Sequence, residues 1–146
     1  MKHTLLILLA CCFPVVLMAQ DAQIKFWVNG EEQSELMDVS QYSRITVLVE
    51  DGAPRDGSVV YEFGPVKAYK LKEDGSRGGL LRVVDSGEVM NIPMLNFTLN
   101  PPDQQDLLGY HWLEVEWVKR YNADKTVTTL ELSELVDRGI KLFLHQ

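Results

Sequence analysis

The chain reads as an all-β protein folded as an antiparallel sandwich, on three observations. Apolar residues recur at every second position: Leu113, Val115 and Trp117 alternate with Trp112, Glu114 and Glu116. That period marks a half-buried strand, because a helix face repeats at three and four. Turn formers such as Asn29-Gly30, Asp51-Gly52 and Asp74-Gly75 punctuate the alternating runs. No segment holds helical periodicity for three turns.

In chain order, the first element is an address. Lys2 and His3 precede an apolar run from Thr4 to Met18, broken by Pro14 and closed by Ala19 before the polar Gln20. This is the anatomy of a secretory signal peptide over 1–19, and the run is short against the roughly 20 residues of a bilayer span. Cleavage after Ala19 leaves residues 20–146 as one domain with no transmembrane helix in the mature chain. A lipobox-like Leu8-Leu9-Ala10-Cys11 makes a lipoprotein anchored at Cys11 the lesser alternative. Both cysteines, Cys11 and Cys12, leave with the leader, so no disulfide or thiolate chemistry is expected. Lys2 leaves too, and 21 acidic against 13 basic residues give a net charge of −8. That balance disfavours nucleic acid as a partner.

Ile24, Phe26 and Val28 form a strand that ends in an Asn-Gly hairpin signal. Residues 31–42 read as a polar loop with at most one short strand. Arg44–Glu50 is a strand, with Ile45, Val47 and Val49 inward, followed by a loop at 51–57. Val59, Tyr61 and Phe63 face inward in the next strand, and Gly64-Pro65 kinks the chain or moves it to another sheet. Val66–Leu71 and Leu80–Val84 pair across the hairpin at 72–79. Residues 88–100 read as one long strand, with Pro93 demanding an edge or a bulge. The strand 110–121 is taken as the centre of the fold, with Trp117 as its largest inward side chain. Thr126–Leu132 returns from a turn at 122–125. Residues 133–139 read as one helical turn, and Ile140, Leu142 and Leu144 mark a last strand. Eight or nine such strands make an immunoglobulin-like β-sandwich, with a small β-barrel as the alternative.

Chemistry is sparse. His111 and His145 stand alone as histidines of the mature chain and lack a cysteine partner, so no metal site is expected. The acidic loop Glu50–Gly57 lacks the alternating oxygen donors of a calcium loop and contains Arg55. No nucleophile elbow or phosphate loop occurs, and no cofactor is expected. Asn96-Phe97-Thr98 matches a glycosylation sequon inside a strand. Glu114 and Glu116, two apart on a strand, lie about 7 Å apart on one face. Glycosidase carboxyls stand roughly 5 to 9 Å apart, so these two define the alternative function, a small carbohydrate-active or other hydrolase. Any Glu-x-Glu on an exposed strand meets the same test. With Trp112 beside them they form a platform for a sugar or a peptide. Lys67, Lys70, Lys72, Arg77 and Arg82 surround Tyr69 as the basic island of an acidic chain, a second candidate docking surface.

Gly57-Ser58-Val59-Val60-Tyr61-Glu62-Phe63-Gly64-Pro65-Val66-Lys67-Ala68, continuing to Asp74-Gly75, resembles the β-domains of the periplasmic shaft protein of gliding motility and type IX secretion. The shared features are a glycine-led strand, a Lys-Ala pair and an Asp-Gly turn, over about twenty residues. The leader and the single domain depart from that family. The resemblance implies an exported protein of the Bacteroidota type that acts in the envelope by interaction, without catalysis. The expected function is therefore a non-enzymatic β-sandwich in the periplasm, at the cell surface or secreted. Its expected partner is an envelope or extracellular protein, or a polysaccharide. The candidate contact residues are Trp112, Glu114, Glu116, Lys67, Tyr69, Lys70, Lys72 and Arg77.

Overall fold

Period-two alternation makes strands throughout the described residues, which are 22–54, 56–130 and 138–145 of a computed structural model. The leader, Leu132 and residues 133–137 of the helical turn expected at 133–139 lie outside them; Gly139, the expected stop of that turn, instead opens the last strand. β1 (Gln23–Val28) turns through Asn29 and Gly30 into β2 (Glu31–Gln33). Both turn residues have positive φ, 48° and 87°, the geometry whose twist matches that of the strands it joins. β3 (Leu36–Val39), β4 (Ser43–Glu50), β5 (Val60–Phe63), β6 (Val66–Leu71) and β7 (Arg77–Asp85) follow. β8 (Glu88–Met90), β9 (Met94–Leu99), β10 (Gly109–Val115), β11 (Val118–Tyr121), β12 (Val127–Thr129) and β13 (Gly139–Leu144) complete the chain.

These strands form three sheets, ordered β2-β1-β4-β9, β3-β13-β10-β6-β7 and β12-β11-β5-β8. All pairings are antiparallel except β3 with β13, which is parallel. The third sheet continues the second beyond a bend. β5 passes into β6 through Gly64-Pro65, and β10 into β11 through Glu116-Trp117. The two breaks sit side by side, with Gly64 N–H donating to the Trp117 carbonyl at 2.8 Å and Glu116 N–H to the Pro65 carbonyl at 3.0 Å. Inner faces meet in one core: Ile45, Val47, Leu95 and Leu99 from the first sheet lie with Val66, Leu113, Val115 and Leu142 from the second. Tyr61, Phe63 and Val118 extend it past the bend. The architecture is an all-β sandwich of immunoglobulin-like order, and none of the sheets closes into a barrel.

Three expectations need correction. The 31–42 loop holds two strands, and β3 crosses to the edge of the second sheet because Met37 and Val39 are apolar enough to be fully buried there. The run 88–100 divides at Pro93, so β8 belongs to the third sheet and β9 to the first; Pro93 itself is buried and accepts from Val49 N–H at 2.9 Å. Strand 110–121 divides likewise. Trp117 sits in the break, half-buried, and Val118 takes the inward place instead. These breaks turn the expected eight or nine strands into thirteen among the described residues.

The indole of Trp117 rests on Gly64, where a Cβ would lie 2.6 Å from Trp117 Cε2. Gly64→Ala must therefore displace the ring or the bend, at a cost of about 1–3 kcal/mol. Urea denaturation checks this, and an unchanged midpoint contradicts the packing.

Candidate docking face

Alternation on the five-stranded sheet sends Leu113 and Val115 into the core and leaves Tyr110, Trp112 and Glu114 on the outer face. Registers place their neighbours. Trp112 lies between Tyr69 of β6 and Lys141 of β13; Glu114 lies between Lys67 and Gly139; Tyr110 stands opposite Phe143. Leu80 and Val83 of β7 extend the same rows to the sheet edge, opposite Tyr69 and Lys67. Four gaps between five strands make the face about 19 Å wide.

Its centre is a closed polar cluster. The Trp112 ring covers Gly139, where a Cβ would meet the ring at 2.5 Å, so glycine is what lets the indole lie flat. Trp112 Nε1–H donates to Glu114 Oε1 at 2.9 Å, and Arg77 Nη1 donates to Glu114 Oε2 at 2.8 Å. The Arg138 guanidinium adds an ion pair at 3.9 Å. Arg77 also lies over the Tyr69 ring, 4.4 Å from its centroid, as a cation on the negative face of an aromatic. Under this cover Glu114 is only 2% exposed. A buried carboxylate requires such partners, and Glu114 has one on each oxygen.

The sequence-predicted residues therefore separate. Trp112, Glu114, Lys67, Tyr69 and Arg77 come together on the face. Glu114 is an internal anchor there, not the exposed member of an acid-base pair. Glu116 lies in the bend and pairs with Lys67 at 3.0 Å, and the hydrogen bond to Glu116 raises the Lys67 pKa above its ordinary value. Lys70 shares the parity of Val66 and Ala68, hence the inner side at the sheet's end. With Lys72 it borders a separate shallow hollow of about 640 Å³ at the β6–β7 hairpin. Arg82 is drawn off to Asp106 at 3.1 Å. Sequence reasoning missed Tyr110, Lys141, Phe143 and Arg138. The first three alternate with buried neighbours, so a signal existed; the pairing of β10 with β13 did not show in it. Tyr110 is 59% exposed and packs on Phe143 with ring centroids 4.3 Å apart. Phe143 in turn meets the edge of His145, whose ring pairs with Asp38.

Neither a scan of family models nor a search of curated proteins returns a match to this chain.

The other candidates fall elsewhere. Asp51 of the acidic loop is turned inward, accepting from Arg120 at 2.8 Å and from the Tyr61 hydroxyl at 3.1 Å, so its charge is answered by a guanidinium. No group of three or more His, Cys, Asp or Glu among the described residues is arranged to hold a metal ion. No helix among them is long and apolar enough to cross a membrane.

Three exposed turns share one device. Asp56, Asp74 and Asp124 accept from the residue two ahead, Ser58, Ser76 and Thr126, and these hydrogen bonds lower each carboxyl pKa below 3.8. A depressed folded-state pKa contributes stability above the unfolded value that disappears as pH falls through the folded one. The protection of the Ser58, Ser76 and Thr126 amides, taken relative to the intrinsic exchange rate at each pH, is therefore expected to hold above a pH of about 4 and to fall below it. Exchange at these amides that ignores this titration contradicts the prediction.

Proposed function

We propose that this chain is an exported, non-enzymatic β-sandwich that docks a protein partner or surface polymer in the cell envelope. Its working surface is the outer face of the five-stranded sheet. The observation that carries this reading is the exposed Tyr110, packed on the half-buried Phe143 beside Trp112, on a face whose buried cluster already satisfies its own carboxylate. Aromatic side chains bring large contact area at low entropic cost, which suits recognition. The engagement of both Glu114 oxygens speaks for a structural role and against proton transfer. The leader and the resemblance to shaft-protein β-domains support an envelope setting. Intact mass of the exported protein is expected to place Gln20 first, whereas a lipid-modified Cys11 would move it to a membrane surface.

Matched positions test the face. Tyr42 and Tyr110 are 64% and 59% exposed, and only Tyr110 lies on the outer face of this sheet. With a photo-cross-linking amino acid at each position in intact cells, a defined adduct is expected from 110 and none from 42. Equal adducts, or an adduct from 42 alone, would defeat the assignment.

A further inference from the structure

Resting on that reading, we infer that the partner is a protein surface that combines carboxylates with apolar side chains. Charge is the first observation. Among the described residues, four cations, Lys67, Arg77, Arg138 and Lys141, lie on the face with two carboxylates, Glu114 and Asp38, and a third, Glu116, in the adjoining bend. Each carboxylate is already engaged: Glu114 by the two arginines, Glu116 by Lys67 and Asp38 by His145. Lys141 is exposed, stands opposite Trp112 and has no ion pair among the described residues. On a chain whose mature net charge is −8, the face thus offers a free positive group beside its aromatic centre. An incoming carboxylate answers Lys141 without displacing any bond the protein already makes. A basic partner meets Lys141 with repulsion and finds no free anion among the described residues of the face to compensate.

Shape and composition choose between protein and glycan. The face is a sheet surface, whereas small ligands are held in concave pockets that bury most of their surface. Leu80, 53% exposed, continues the aromatic row of Trp112 and Tyr69 to the edge, and Val83, 45% exposed, continues the neighbouring row of Glu114 and Lys67. Aliphatic side chains of this kind gain from burying the apolar residues of a protein and gain little from a hydrated polymer. Arg and aromatic residues at the centre with charges around them also match protein interfaces. The acidic exterior of this chain makes a second copy a rival occupant, which the experiment separates.

The probe is an immobilised copolymer of glutamate and tyrosine, with polygalacturonate and a lysine–tyrosine copolymer alongside. The purified protein is expected to bind the first alone, and to weaken roughly ten-fold between about 50 and about 300 mM salt as the pairing is screened. Lys141→Glu is expected to weaken binding about ten-fold. Arg44→Glu, an exposed cation on the outer side of the first sheet, should change it less than about two-fold. Circular dichroism confirms that both variants remain folded. Absent binding, indifference to Lys141→Glu, or equal binding of polygalacturonate overturns the inference. Self-association that Lys141→Glu abolishes overturns it in favour of a second copy. A cross-link from position 110 that persists in Lys141→Glu leaves the docking face standing and removes only the acidic partner; loss of cross-linking in the wild type removes the face itself.

Discussion

Phe63→Ala is expected to destabilise the protein by about 3–5 kcal/mol, the range for emptying a fully buried aromatic site. Phe63 is 2% exposed, pairs with Val118 across the β5–β11 ladder and closes the core just before the bend. Trp117→Ala, although it removes a larger side chain, is expected to cost less, about 1–2 kcal/mol. The indole is half-buried, covers Gly64 and has Lys119 Nζ 5.0 Å from its ring centroid, so alanine there uncovers the bend and leaves the core filled. Urea denaturation of both variants separates them. A larger loss at Trp117 would mean that the strand runs through the bend unbroken and Trp117 points inward.

Glu114→Ala carries the second large effect, about 3 kcal/mol, because it strands charges gathered around a buried carboxylate. Arg77 and Arg138 keep roughly a third of their side chains in solvent, at 34% and 32%, which holds the cost to the lower end for a broken buried pair. Glu114→Gln keeps an acceptor for the Trp112 N–H and is expected to lose about half as much. Glu116→Ala breaks only the Lys67 pair, whose carboxylate side is 41% exposed, and is expected to cost under about 1 kcal/mol. If Glu114 and Glu116 respond alike, the carboxylate at 114 is solvated and the cluster does not anchor the face.

Most of the fold was legible because burial writes itself as alternation, and Ile45-Val47-Val49 or Leu95-Phe97-Leu99 admits only one inward face. The breaks were not. Continuing alternation from Leu113 and Val115 assigns Trp117 inward, and only the hydrogen bonds between Gly64-Pro65 and Glu116-Trp117 show both strands bending at one level. Pro93 was marked as an irregularity, yet nothing local says that the residues on its two sides enter different sheets. The face was half legible for the same reason. Trp112 and Glu114 announce themselves within one strand, whereas Lys141, Phe143 and Arg138 reach them only through the pairing of β10 with the end of the chain. Lys70 looked like a neighbour of Lys67 in a basic island, and strand parity puts it on the other side of the sheet.

Amide hydrogen exchange with and without the captured partner tests the central claim most directly. Docking on the outer face of the five-stranded sheet predicts slowed exchange in β6, β10 and β13, around residues 67–71, 110–114 and 140–143, with β1, β4 and β9 unchanged. Protection confined to the first sheet, or to the free edges at β2 and β9, would contradict it.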